Sequence, residues 1–307
     1  MLGANLVLAA LDRCEVIAHA YPPALQAMGF TSLASDLTAP GEVDRLLHAA
    51  RPDWVVHCAA QADVDACEGD PQGAMRLNAE LAGSVARAAA HAEARMVQIS
   101  TDAVFDGTKG NYRETDAPAP VNRYGASKLA GEAAVAAAHP QALILRTNFF
   151  TWPAPGKVGL AGWFLERLES GQPCPGFVDS RFSPLLASTL VGLVLDLLAL
   201  GANGLLHAAG RTCLTKFEFG VHLARAFSLD PSLVRPEVSL AAGLSARRGQ
   251  QLCLNPGRLE RILGRRMPTV TAELERFRSE WDRGLPQALQ AIRAGGTPPG
   301  MAKATEA

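Results

Sequence analysis

An excess of charge of either sign is missing from this sequence: 29 Lys and Arg stand against 30 Asp and Glu, a formal net charge of −1 over 307 residues. A surface so balanced gives no electrostatic ground for binding nucleic acid or an anionic membrane surface, and neither partner is expected. Long hydrophobic runs are missing too. A bilayer span needs about 20 apolar residues, and the nearest approach, Leu185–Leu200, is interrupted by Ser188, Thr189 and Asp196. Asp12 and Arg13 follow the first apolar turns without a small-residue cleavage pattern, so no secretory signal is expected. The cysteines (Cys14, Cys58, Cys67, Cys174, Cys213, Cys253) never form CxxC, and the histidines show no metal-ligand spacing. Reduced thiols, a cytoplasmic setting and no structural metal are the expectation.

What is present is a composition that is 48% hydrophobic, enough for one large domain or a domain with a smaller appendage. Up to about residue 150, short apolar runs alternate with helical patterns. Glu15–His19, Thr31–Ala34, Trp54–Cys58, Met96–Ser100 and Ala142–Arg146 read as buried strands. Gly41–Ala50, Pro71–His91 and Tyr124–Ala138 read as helices between them. Continuous apolar strands alternating with helices predict an α/β, doubly wound Rossmann-type parallel sheet, with ligands beyond the carboxyl ends of the strands.

Residues 151–294 have a different texture. Thr151–Lys157 and Gly171–Gly176 read as Pro/Gly-rich loops. Helices are expected at Leu160–Ser170, Leu186–Leu200, Lys216–Phe227 and Ala272–Arg293, with a strand at Gly204–Ala208. This predicts a smaller, mostly helical substrate-binding region interleaved with the sheet's end. Residues 295–307, rich in Gly, Pro and polar groups, read as a disordered tail.

The chemistry concentrates in two stretches. Ser100-Thr101-Asp102-Ala103-Val104-Phe105-Asp106-Gly107 follows a strand directly, and Tyr124-Gly125-Ala126-Ser127-Lys128-Leu129-Ala130-Gly131-Glu132 opens a helix. Tyr124 and Lys128 are four apart and share a helix face. A lysine ammonium beside a phenol is expected to lower the tyrosine pKa toward working pH. Thr101 would complete the hydrogen bonds to a substrate oxygen. Such a set can give a proton to, or take one from, a carbinol oxygen during hydride transfer.

With Arg51–Ala60 (RPDWVVHCAA), Val64–Glu68 (VDACE), Leu77–Ala79 (LNA), Tyr112–Asp116 (YRETD) and Pro118–Pro120 (PAP), these stretches give the chain its family likeness. It resembles the extended short-chain dehydrogenase/reductases, most of all the dTDP-4-dehydrorhamnose reductase group of sugar-nucleotide reductases. The resemblance implies reduction of a 4-keto nucleotide-diphospho sugar by NADPH or NADH. Tyr124 would be the general acid, Lys128 its partner and a ribose ligand, and Thr101 the substrate-oxygen donor. Gly3, Asp36, Leu37, Cys58, Ala59, Ala60, Asn78 and Ser100 would line or brace the cofactor. Asp102, Ala103, Asn148, Phe149 and Arg248 would face the substrate. Arg181 and Arg247 lie in further loops that could present cations to a diphosphate.

Two departures narrow this expectation. Related dehydratases carry an Asp-Glu pair after the threonine, where this chain has Asp102-Ala103, and alanine transfers no proton. The reductases commonly carry tyrosine at that position, and tryptophan where Phe149 stands. Residues 19–23 (HAYPP) supply neither the acid that binds a ribose 2′-hydroxyl nor an arginine for a 2′-phosphate, so NADPH is preferred on family grounds alone. Open alternatives are a sugar-nucleotide epimerase, another dehydrogenase, or a non-catalytic relative such as the regulatory subunit of some methionine adenosyltransferases. A homodimer is left open.

One more feature is missing. In the family the first strand and a GxxGxxG loop precede a helix, and their backbone N–H groups hold the pyrophosphate. Residues 1–11 (MLGANLVLAAL) match only the end of that turn, with Gly3 as its third glycine. The expectation is a start about 10 residues upstream, and β-strands left unpaired where the first strand would lie.

Overall fold

The computed structural model describes residues 2–25, 29–152, 158–239 and 245–294. The expected tail at 295–307 and most of the loop at 151–157 lie outside the described residues. The chain opens with α1 (Leu2–Ala10), β1 (Ile17–Ala20), β2 (Thr31–Ala34), α2 (Glu42–Ala50) and β3 (Trp54–His57). Then come α3 (Val64–Gly69), α4 (Pro71–Met75), α5 (Leu81–His91), β4 (Arg95–Thr101), α6 (Arg123–Ala138) and β5 (Leu143–Thr147). The second half holds β6 (Phe149–Phe150), α7 (Gly159–Glu169), β7 (Cys174–Phe177), β8 (Arg181–Phe182), β9 (Leu185–Leu186), α8 (Ala187–Ala199) and β10 (Gly204–Ala208). It ends with β11 (Leu214–Thr215), α9 (Lys216–Ala226), β12 (Val234–Glu237), α10 (Gly257–Leu263), α11 (Val270–Asp282) and α12 (Leu285–Ala294).

The main sheet is parallel and four-stranded, in the order β10–β5–β4–β3. β4 is buried from Met96 to Thr101, as a strand covered on both faces must be. On one face α8 packs Leu190, Leu193, Val194 and Leu197 against Val97, Leu143 and Leu145, joined by Leu2 of α1. On the other, Val43, Leu47, Val85, Ala86 and Val135 of α2, α5 and α6 cover Met96 and Ile144. The second half buries its own aromatic cluster, in which Trp152 stacks on Phe277 with ring centroids 3.7 Å apart.

Several sequence expectations are corrected. The five strands expected before residue 150 do not form one sheet: among the described residues β1 pairs with β2 alone, in a two-stranded sheet separate from the four-stranded one. The main sheet takes its fourth strand, β10, from the second half. The single helix expected over 71–91 is three pieces, with a π-helical turn at Arg76–Glu80. There α6 comes so close that a Cβ on Gly131 would lie 2.1 Å from the Asn78 carbonyl oxygen. The helix expected over 272–293 is broken at Gly284, whose φ of 77° ends α11. The loop expected at 171–176 runs into β7, which pairs in parallel with β12.

The reduced-thiol expectation fails at one pair. Cys213 and Cys253 form a disulfide, whereas Cys14, Cys58, Cys67 and Cys174 are free. Their neighbours explain the meeting: β8 pairs with β11, just after Cys213, and bridges to Gln251, just before Cys253. Two partners 40 positions apart are invisible to a spacing rule.

Thiol titration of the unfolded, unreduced protein should therefore find the four free cysteines, and reduction should add Cys213 and Cys253. Gly131→Ala should lower stability by ~1–3 kcal/mol, because the added methyl has only backbone to displace; a denaturant titration measures it.

Candidate active site

The site begins at the buried end of β4. Thr101 is extended, and its Oγ1 accepts from Ala103 N at 3.1 Å, capping a short 3₁₀ turn over Asp102–Val104. The same hydroxyl donates to Asp102 Oδ1 at 3.1 Å. Asp102 Oδ2 accepts from Asn148 Nδ2 at 2.8 Å, which ties the turn to the end of β5. Opposite, Asn122 caps α6 by accepting from Gly125 N at 2.8 Å. Gly125 is pressed against the turn: a Cβ there would lie 2.1 Å from Ala103 O. Tyr124 is thereby held beside Thr101, to which it is hydrogen-bonded.

These residues line a cleft of about 410 Å³ at the carboxyl ends of β3, β4 and β5. Leu2, Cys58, Ala60, Ser100, Thr101, Asp102, Ala103, Tyr124, Lys128, Asn148, Phe149 and Arg248 all reach it, as do Arg181 and Lys216. Gly3 packs near Cys58, its imagined Cβ 3.8 Å away. Ala59 is exposed and does not line the cleft. Asn78 is buried behind it, accepting from Gln61 N at 2.8 Å and donating to Gln61 O and Ser127 Oγ, so it braces the loop after β3 against α6. Asp36 and Leu37 lie elsewhere. Leu37 lines a separate hollow of about 270 Å³ with Arg76 and Arg87, and exposed Asp36 accepts from Thr38. Of the other arginines, Arg247 only offers its backbone carbonyl to Asn122.

Electrostatics reverse one expectation. Burial pushes the Tyr124 phenol up to about 12, and neighbouring Asp102 adds to the rise against the hydrogen bond with Thr101. Lys128 does not produce the expected lowering, because its Nζ points at Ile99 O, 2.7 Å away. Burial instead lowers the ammonium to about 8, against the opposing pull of Glu132. Burial also raises Asp102 to about 6. Across the cleft stand three cations. Arg248 is bound by Asp65 at 2.6 Å, Arg181 lies 3.9 Å from Glu218, and Lys216 is lowered by burial and by nearby Arg248.

The RmlD substrate binding domain family matches residues 3–282. The chain belongs to that family. Among its relatives, the probable low-salt glycan biosynthesis reductase Agl14 of Haloferax volcanii is 36% identical over 78% of this chain and 81% of its own. The dTDP-4-dehydrorhamnose reductase of Mycobacterium tuberculosis is 36% identical over 68% and 70%. Methionine adenosyltransferase 2 subunit beta of Pongo abelii is 32% identical over 74% and 70%. A crystal structure of dTDP-4-dehydrorhamnose reductase from Bacillus anthracis, in complex with NADP, superposes with a TM-score of 0.78 at 26% identity, covering 91% of this chain and 97% of that one.

Sequence reasoning missed Lys216 in this RmlD-family cleft. Its helix start was legible, since Thr215 and Glu218 form a capping box. Only the packing of α9 shows that Lys216, its first residue, turns toward Asp102. Asn122 was also missed, although an Asn two positions before Tyr124 is an N-cap signal.

Asp102 holds a proton up to about 6 in the folded chain against an ordinary 3.8. Its contribution to stability is therefore complete below pH ~4 and lost as pH rises through about 6, a difference worth ~3 kcal/mol. Asp102→Asn should flatten that segment of the stability–pH profile, measured by thermal unfolding.

Proposed function

We propose that this chain reduces a 4-keto nucleotide-diphospho sugar with NADPH or NADH, Tyr124 delivering the proton. The observation that carries the reading is the convergence of Thr101, Tyr124 and Lys128 on one cleft at the strand ends of an RmlD-family chain. The residues present fit the nicotinamide end of a dinucleotide, without the glycine loop that would hold its pyrophosphate: β3, β4 and β5 end at the cleft, Cys58 and Ala60 line it with small side chains, and Lys128 stands one helical turn from Tyr124. The Bacillus anthracis relative holds NADP, which supports NADPH as the preferred form. When bound, the nicotinamide supplies the hydride.

Everything else falls to the chain. Thr101 would turn its one hydroxyl proton from Asp102 to the substrate oxygen, and it stands beside Tyr124. Tyr124, with its phenol pushed up to about 12, stays protonated at neutral pH and gives its proton as the oxygen gains charge. Arg181, Lys216 and Arg248 offer guanidinium and ammonium donors to the diphosphate. Ala103 carries no acid or base, which argues against water elimination. Ala103 and Phe149 would set the space around the sugar.

A second reading has one observation in its favour: methionine adenosyltransferase 2 subunit beta is 32% identical over 74% of this chain. In that reading the same scaffold binds a partner enzyme. The assay that separates the two is NADPH and NADH oxidation against dTDP-, GDP- and UDP-4-keto sugars. Stoichiometric consumption is expected, and Tyr124→Phe should slow it by ~10²-fold or more. Copurifying nicotinamide with no net consumption would point to an epimerase. No consumption with any sugar, or an unimpaired Tyr124→Phe, would overturn the reading.

A further inference from the structure

Lys128 is buried, 4% exposed, and its ammonium donates to a neutral group, the Ile99 carbonyl. A cation so placed needs an anion within reach, or it loses its proton. The groups that face it are few. β3 brings His57 and Cys58, α6 brings Tyr124 and Glu132, and β5 brings Arg146 behind Glu132. Glu132 alone among them carries an anion.

Tyr124, Lys128 and Glu132 recur every four residues, so they form one line along the face of α6 that meets β4. Glu132 is as buried as Lys128, at 6% exposed, and its carboxylate is fully engaged. Oε1 accepts from Ser100 Oγ at 2.5 Å and from Arg146 Nε at 2.9 Å, and Oε2 accepts from Arg146 Nη2 at 2.7 Å. Ser100 itself lines the cleft, one residue before Thr101. The network therefore runs from the cleft wall, through the carboxylate, to the guanidinium in β5.

We propose that Glu132 is a positioning residue: its carboxylate, gripped by Arg146 and Ser100, keeps Lys128 a cation at the base of the cleft. The assignment gives Lys128 its use in the reduction proposed above and rests on that reading. It is distinct from a plain staple between α6 and β5, which would leave the lysine unaffected. The balance of influences on Lys128 agrees: burial lowers it, and Glu132 is the first group that opposes this, ahead of Cys58.

The test titrates Lys128 directly, by Nζ-detected NMR of the full chain labelled with ¹⁵N-lysine. The chain's other lysines are Lys109, Lys157, Lys216 and Lys303, and a Lys128→Met sample assigns the signal. Glu132→Gln keeps the shape and removes the charge, and should lower the Lys128 midpoint by about 1 pH unit or more. Should Arg146 left unpaired prevent folding, the double variant Glu132→Gln/Arg146→Gln removes both charges, and a smaller lowering is expected because the lost guanidinium had opposed the carboxylate. A midpoint that does not move in a folded variant overturns the assignment. Cofactor oxidation run on the same samples keeps the two readings apart. A lowered midpoint in a chain that reduces no sugar sinks the reduction and leaves the assignment standing; an unmoved midpoint in an active chain does the reverse.

Discussion

The close approach of α6 to the end of β4 is the constraint on which the site depends. Two residues of that helix have no side chain where it touches its neighbours. Gly125 lies against Ala103 O and Gly131 against Asn78 O, each with room for nothing larger than hydrogen. Beside and between these glycines α6 carries Tyr124, Lys128 and Glu132 down to the strand ends. The Glu132–Arg146 pair then fixes the helix's rotation, because a bidentate guanidinium–carboxylate contact tolerates little sliding. Such a buried pair adds little net stability, since desolvation offsets most of its attraction. Its value lies in excluding other arrangements, for a displaced α6 would leave two charges buried without partners.

The far wall of the cleft is held differently. The segment that carries Arg248 and Leu252 packs on the first half through polar tethers as well as through the burial of Leu254 on Val104, Phe105 and Tyr112. Asp65 accepts from Ser245, Ala246 N and Arg248, and Asn122 donates to Arg247 O. Tyr112 N donates to Cys253 O, and the disulfide secures Cys253 from the other side. Asp65 is held well below the usual carboxylate range by Arg248 first and by Ser245 next. The guanidinium is therefore pre-aimed by a carboxylate of the first half. The near wall is placed by steric fit; the far wall combines charge with a close backbone approach, since a Cβ on Gly107 would lie 2.4 Å from Gly249 Cα.

This division also explains what the sequence made legible. β2 and β10 appear where the apolar runs put them, and β3, β4 and β5 differ only at their ends; β4 and β5, covered on both faces, write their burial into consecutive residues. Thr101, Tyr124 and Lys128 were readable for the same local reason: one ends a strand and the others share a helical turn. What sequence periodicity could not carry were contacts between distant segments. The π-helical turn at Arg76–Glu80 coincides with the approach of α6, the Cys213–Cys253 bridge arises on either flank of β8, and Lys216 enters the cleft through the packing of α9. The arginine at 248 was legible as a cation, but its partner Asp65, 183 residues away, was not.

The reversal at Tyr124 bears on the direction of the chemistry. A phenol serves oxidation best when its pKa is lowered, because a base must take the proton from a carbinol. It serves reduction when the proton is kept until an oxygen gains charge. Here burial and Asp102 hold the proton on Tyr124, and the Lys128 ammonium is turned toward Ile99 O instead of the phenol. On the reading proposed above, the chain's own residues thus favour the proton-donating form at neutral pH. Asp102 sharpens the bias: once it ionises above about 6, its charge further opposes a phenolate next to Thr101. A site arranged for oxidation would need the opposite sign there, a cation beside the phenol with no anion behind the threonine.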